Sequence, residues 1–332
     1  MSTGQASWRK ALAAGMAVAA WVFLAGSAGG AEVRNVTAKQ RYPWNGLVDI
    51  RCTVTGIEDG VIWPLTLSAE EPDSGAVHEL SHFRVVREGT NSSDRAVRAN
   101  GEYELLWDAR ADLGEVVCSN MVVRVAFDAH PMVQLWEDGP YWADRNIGAE
   151  EPWEYGYYFW WGDTVGYKWE DEQWVASDGS AVGFVFENAP TWGLSVEKLR
   201  SQGWTTTNNV LAPEHDAAHV QWGGEWRMPT EQELRDLCDK CDRTWVTTNG
   251  VKGYVVRGRD DYASASIFLP AAGWGDKAIL DRVGQYGHLW ASDPRTDNRS
   301  WRLNYRSGQF FMDYHYDRHV GTSFRPIRGS AE

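Results

Sequence analysis

The 332-residue chain carries 32 Lys and Arg against 46 Asp and Glu, a formal net charge of −14. So acidic a surface repels nucleic-acid phosphates and anionic membranes, which excludes nucleic acid as a partner class. The length suffices for two domains, each with a sizeable core, and 20 Trp supply core filling with a polar handle, flat recognition platforms, or both.

Arg9 and Lys10, the apolar run Ala11 to Ala25 and the small residues Gly29-Gly30-Ala31 follow the three-part pattern of a secretory signal. The run falls short of the roughly 20 apolar residues that span a bilayer. Residues 1–31 are therefore expected to be removed, leaving a protein without membrane insertion that is secreted, periplasmic or held at the cell surface. Loss of Arg9 and Lys10 takes the formal charge from −14 to −16. The alternative is a buried first helix.

Residues 32–128 read as short alternating runs broken by turns. In Leu47–Val54 the residues Val48, Ile50, Cys52 and Val54 share one face, and Val61–Leu67, Glu79–Val86, Glu102–Trp107 and Met121–Phe127 repeat the pattern. Closely spaced strands predict an all-β sandwich of immunoglobulin-like or fibronectin-like type. Cys52 and Cys118 lie in this region of an exported chain, so a disulfide between them is the leading expectation; two free buried thiols are the alternative.

Composition changes at His130-Pro131-Met132, which makes 129–134 a linker and 135–332 a second domain. The dense aromatic cluster Trp153–Asp163 is either a sugar-stacking platform or, as such clusters more often are, core. A short helix is expected over Ser195–Gln202, with Ser195 as cap and Gly203 as stop. A second begins at Thr230, where Thr230 and Glu233 form a capping box ahead of the stripe Leu234, Leu237, Cys238 and Cys241. The two cysteines lie far from the positive end of that helix, where a reactive thiolate would be stabilised, so they read as core. His215 and His219, four apart, leave zinc binding with Cys238 and Cys241 as an option. Acidic runs such as Asp260-Asp261 read as solvated turns, and no nucleophile elbow, phosphate loop or HExxH occurs. No cofactor is expected.

The stretch Tyr286–Arg328 reads as a binding surface. Leu289, Trp290, Trp301, Leu303, Phe310, Phe311 and Phe324 recur as anchors between polar residues, and seven Arg occur with no Lys, a choice that favours planar, directed hydrogen bonds. Within it, Asp313, Tyr314, His315, Tyr316, Asp317, Arg318 and His319 form a polar tip. The tip is either a solvated turn or a recognition surface rich in Tyr and short polar partners, as paratopes are. Asp, Tyr, His and Asn share codons that differ only in the first base, and in this the tip resembles the variable segments of retroelement-diversified proteins. Asp293, Arg295, Asp297, Asn298 and Asn304 are expected to join it as the ligand-facing set.

Several blocks carry a family resemblance: Trp136–Gly148 (WEDGPYWADRNIG), Tyr155–Gly166 (YGYYFWWGDTVG), Trp226–Glu231 (WRMPTE), Thr247–Gly253 (TTNGVKG), Ser266–Gly273 (SIFLPAAG), Leu289–Ser292 (LWAS) and Phe324–Arg328 (FRPIR). In words and order they resemble the Fibrobacter succinogenes major paralogous domain, over about residues 132–329. That resemblance implies an α+β, C-type-lectin-like fold with two short helices and much loop, in the branch shared with formylglycine-generating enzymes. The catalytic cysteine pair of those enzymes has no counterpart after Cys241, and Ser300–Asn304 replaces the Trp-Asn-Asp strand of calcium-dependent lectins. The expected function is therefore an exported, non-catalytic binding protein that presents a polar and aromatic surface to a glycan or a surface protein. The alternatives are an enzyme of the formylglycine-generating type, or a hydrolase on the same fold, and a structural envelope component.

Overall fold

Period-two patterning becomes strand wherever one face can be buried, and the first unit does this eight times among the described residues. The computed structural model describes residues 30–42, 45–86, 95–114, 121–180, 185–313 and 317–329. The chain is mostly β-sheet with four short helices among those residues. It divides into two units, Met1–Pro131 and Met132–Glu332.

In the first unit, β1 (Glu32–Gln40), β2 (Leu47–Thr55), β3 (Val61–Glu71), β4 (Ala76–Leu80), β5 (Phe83–Val85), β6 (Ala96–Val97), β7 (Gly101–Asp108) and β8 (Val122–Phe127) form two sheets. One has the order β1-β2-β7-β5; in the other, β3 pairs with β4, β6 and β8. The alternation along β2 is realised: Val48, Ile50, Cys52 and Val54 are buried, and they pack with Leu65, Leu67, Leu105, Trp107 and Val125 into one core fed by both sheets. Burying each such side chain contributes about 1.5–3 kcal/mol.

The run expected as one strand over Glu79–Val86 is two, β4 and β5, broken at Ser81 and His82. A five-residue helix, α1 (Ala109–Leu113), causes the break. Its Asp112 accepts the backbone N–H groups of Ser81 and His82 at 3.1 and 3.0 Å, and Trp107 Nε1 at 2.9 Å. These bonds pull two residues out of the ladder and into a corner.

Cys52 carries a free thiol, fully buried opposite Tyr103 of β7. Cys118 lies outside the described residues, as do residues 1–29 of the signal expected over 1–31. The bridge expected between Cys52 and Cys118 therefore lies outside the described residues, and Cys52 itself packs as a small apolar residue of the sheet interior. Burial pushes its thiol up to about 11.

The second unit is built of small sheets. Strands β9 (Met132–Gln134), β10 (Tyr141–Ala143), β13 (Trp226–Arg227) and β22 (Ile327–Arg328) run side by side in the order 13-22-10-9. The hairpin of β11 (Tyr167–Glu170) and β12 (Gln173–Ala176) precedes helices α2 (Val196–Ser201), α3 (Ala217–Trp222) and α4 (Glu231–Lys240). Next come the meander of β14 (Asp242–Thr248), β15 (Val251–Arg257) and β16 (Ser266–Pro270) and the ribbon of β17 (Trp274–Asp276) and β18 (Ile279–Asp281). A second meander joins β19 (Tyr286–Pro294), β20 (Ser300–Arg306) and β21 (Gln309–Asp313).

The aromatic cluster resolves as core. Tyr158, Phe159, Trp160 and Trp161 are at most 2 % exposed, and two polar handles are used: Tyr158 donates to the carbonyl of Ala272 at 2.6 Å and Trp161 to that of Ala291 at 2.8 Å. Both expected helices form. Ser195 caps α2 through the N–H of Lys198, and Thr230 and Glu233 complete the capping box of α4. The stripe on α4 is shorter than expected: Leu234 and Leu237 are buried, Cys238 is half-buried, and Cys241 already lies beyond the last turn in extended backbone.

Candidate functional site

The turn between β19 and β20 is tied down from three sides before it offers anything to a ligand. Within it, Arg295 N–H donates to the carbonyl of Arg299 at 2.8 Å. From the side, Asn298 Oδ1 accepts the N–H of Gly193 at 3.1 Å, and Arg299 Nε donates to Asp317 Oδ1 at 3.2 Å. From below, Arg318 donates to the carbonyls of Thr191, Leu194 and Thr296 at 3.0, 2.9 and 2.7 Å.

The result is a hydrogen-bonded polar cleft of about 500 Å³ lined by Val196, Arg295, Thr296, Asp297, Asn298, Arg299 and Asp317. Arg295, Thr296 and Asp297 are exposed. Arg295 also lies over the indole of Trp301 at 4.8 Å, which holds its guanidinium in place, while Arg235 approaches the same ring at 5.2 Å. The cleft can make several directed hydrogen bonds without reorganising its backbone.

Four expected residues, Arg295, Asp297, Asn298 and Asp317, are thus brought together. Thr296 and Arg299 belong with them and were missed; nothing in the sequence marks the Arg299–Asp317 pair, whose members stand 18 positions apart.

Arg318 is a correction to the expected set. It is 0 % exposed and its guanidinium also faces Trp161, so it faces no ligand. Desolvation by burial lowers its proton affinity to about 10, while Asp297 acts in the opposite sense. Arg302 and Arg325 are likewise buried, so much of the Arg-rich, Lys-free character of this stretch serves the interior.

The other expected residues scatter. Asn304 sits in mid-strand on β20, between His288 and Phe311, and is not in the lining of this cleft. Asp313 ends β21 opposite Arg302. His319 is half-buried with its ring edge-on to Trp192 at 4.4 Å. Tyr314, His315 and Tyr316 lie outside the described residues. Asp293 belongs to a different, deeper cleft of about 610 Å³ beside the start of α4, where its Oδ2 accepts the N–H of Glu231 at 2.7 Å. Burial raises its carboxyl to about 6.

Among the described residues no group of three or more His, Cys, Asp or Glu is placed to hold a metal ion. His215 instead stacks on Trp204 at 3.9 Å. Burial pushes the thiols of Cys238 and Cys241 up to about 11 and about 12, the opposite of what a nucleophile or a metal-binding thiolate needs. No helix among the described residues is long and apolar enough to cross a membrane.

No family model, no curated protein and no solved structure matches the chain.

Proposed function

We propose that the chain is an exported, non-catalytic glycan-binding protein. On this reading a C-type-lectin-like module, similar to the Fibrobacter succinogenes major paralogous domain, follows an immunoglobulin- or fibronectin-like sandwich. The observation that carries the reading is the pinned polar cleft at the β19–β20 turn.

Its guanidinium, carboxylate, amide and hydroxyl groups match the donor and acceptor pairs of neighbouring sugar hydroxyls. A glycan is favoured over a protein partner because protein interfaces concentrate their energy in large apolar anchors. None of the exposed large apolar residues among the described ones lines this cleft. The protonated thiols of Cys238 and Cys241 weigh against an enzyme of the formylglycine-generating type.

A screen of the full chain against immobilised polysaccharides and envelope proteins tests the reading. Saturable binding to a defined glycan supports it. Saturable binding to proteins alone, or none to any surface, replaces it with a protein-binding or a structural envelope role.

A further inference from the structure

The deeper cleft is a separate matter from glycan recognition. Its wall is largely apolar, formed by Val210, Leu211, Pro213, Trp226 and Met228, and three carboxylates open onto it: Asp216, Glu225 and Asp293. Its volume of about 610 Å³ is within the range of small-molecule sites, which combine apolar walls with a few placed polar groups.

What those polar groups are already doing decides what the cleft lacks. Asp216 is committed to the fold: Oδ1 accepts the N–H of Ala218 at 2.9 Å and Oδ2 that of Met228 at 2.8 Å. Glu225 pairs with Arg328 at 3.2 Å. Arg227, the arginine of the lining, is spent on Glu233 at 2.7 and 2.9 Å and on the carbonyl of Gly329 at 3.2 Å. Asp293 differs. Its Oδ2 takes the Glu231 N–H at 2.7 Å, yet among the described residues no cation forms an ion pair with it.

We propose that this cleft binds a small organic amine, with the ammonium group on Asp293 and the apolar body against Leu211, Trp226 and Met228. A half-buried carboxylate lacking a counter-ion is unfavourable, and a bound ammonium supplies the missing charge. Proton occupancy supports the same view: burial first, then the carboxylates of Glu231 and Glu233, raise the Asp293 carboxyl to about 6. The charged groups around it act in one direction. Helix α4 brings Glu231 and Glu233, and the turn into α3 brings Asp216. Arg227 of β13 is neutralised by Glu233, and His219 of α3 becomes repulsive to an amine only when protonated.

Calorimetry on the full chain provides the test, with phenethylamine as the probe and 2-phenylethanol as its uncharged counterpart. Wild type at pH 7.5 is expected to bind the amine at least tenfold tighter than the alcohol. At pH 5, one unit below the Asp293 value, ionised Asp293 falls to roughly a tenth and amine affinity falls about tenfold with it. Asp293→Asn is expected to remove the amine preference and most of the pH dependence; if that variant fails to fold, the wild-type preference for amine over alcohol at pH 7.5 still decides. Equal binding of amine and alcohol, undetectable binding of both, or an Asp293→Asn variant that keeps the preference overturns the proposal. None of these outcomes bears on glycan binding at the β19–β20 turn.

Discussion

Arg325 and Asn146, 179 positions apart, meet in the core of the second unit, with guanidinium Nε donating to amide Oδ1 at 2.9 Å. The same guanidinium reaches the carbonyls of Ala143 at 3.1 Å and Phe268 at 2.7 Å. One charged side chain thus satisfies acceptors from two segments, residues 143–146 and β16, and ties both to its own. Arg325→Met should leave those acceptors buried and unpaired and cost about 3–5 kcal/mol. Arg295→Ala, on the exposed turn, should stay within about 0.5 kcal/mol. Urea unfolding followed by Trp fluorescence reads both, and equal effects would contradict the interior role of Arg325.

Helix α4 separates the worth of a cap from that of a core residue. Thr230→Ala removes the hydroxyl that accepts the Glu233 N–H at 3.2 Å and should cost about 1 kcal/mol. Leu234→Ala opens a cavity at a fully buried position and should cost about 2–5 kcal/mol. The ordering, read from the same unfolding curves, is the check.

In the first unit, acid should act through Asp112. Burial alone would raise its carboxyl, but hydrogen bonds from His82, Ser81 and Trp107 outweigh that and hold it well below the usual carboxylate range. A carboxyl lowered by folding contributes stability that is present above its unfolded value, about pH 4, and is lost as the pH falls through the folded one. Asp112→Ala should therefore cost about 1–3 kcal/mol at pH 7 through its unpaired donors, and the deficit should shrink on acidification. A deficit independent of pH would mean the carboxylate charge plays no part.

The elements legible in the sequence were those whose signal is local. The alternation of Val48, Ile50, Cys52 and Val54 and the capping box of Thr230 and Glu233 each lie within nine residues, and both formed. Strand β1 is not legible in the sequence because Asn35 sits at φ +53° and the register with β2 slips between Arg34 and Thr37; Val33 and Val36 therefore fall out of alternation although both are buried. The corner at Ser81 depends on a carboxylate 31 positions later, which no local pattern announces. At the site, Arg295, Asp297 and Asn298 were readable as a polar turn. Arg318, in an equally polar run, was not readable as buried, because only the folded chain brings three carbonyls to its guanidinium.

The buried thiols make a chemical prediction. Cys52, Cys238 and Cys241 are all held protonated by burial, so alkylation of the native protein at pH 7.5 should be slow at all three. In urea without reductant, Cys52 should alkylate completely, since its thiol is free. Mass spectrometry that finds Cys52 alkylated only after reduction, with a Cys52–Cys118 linked peptide in the unreduced digest, would instead establish that bridge.

The central claim is that the pinned β19–β20 turn recognises a glycan, and one titration tests it most directly. The full chain, its Asp297→Ala variant and its Asp293→Asn variant are titrated with the glycan that binds best in the screen. Loss of the exposed Asp297 carboxylate from the polar cleft should weaken binding at least tenfold, about 1.4 kcal/mol, with the melting temperature unchanged. Asp293→Asn, in the other cleft, should leave affinity as in wild type. Wild-type affinity in the Asp297 variant, or an equal loss in both variants, would contradict the assignment of this turn as the site.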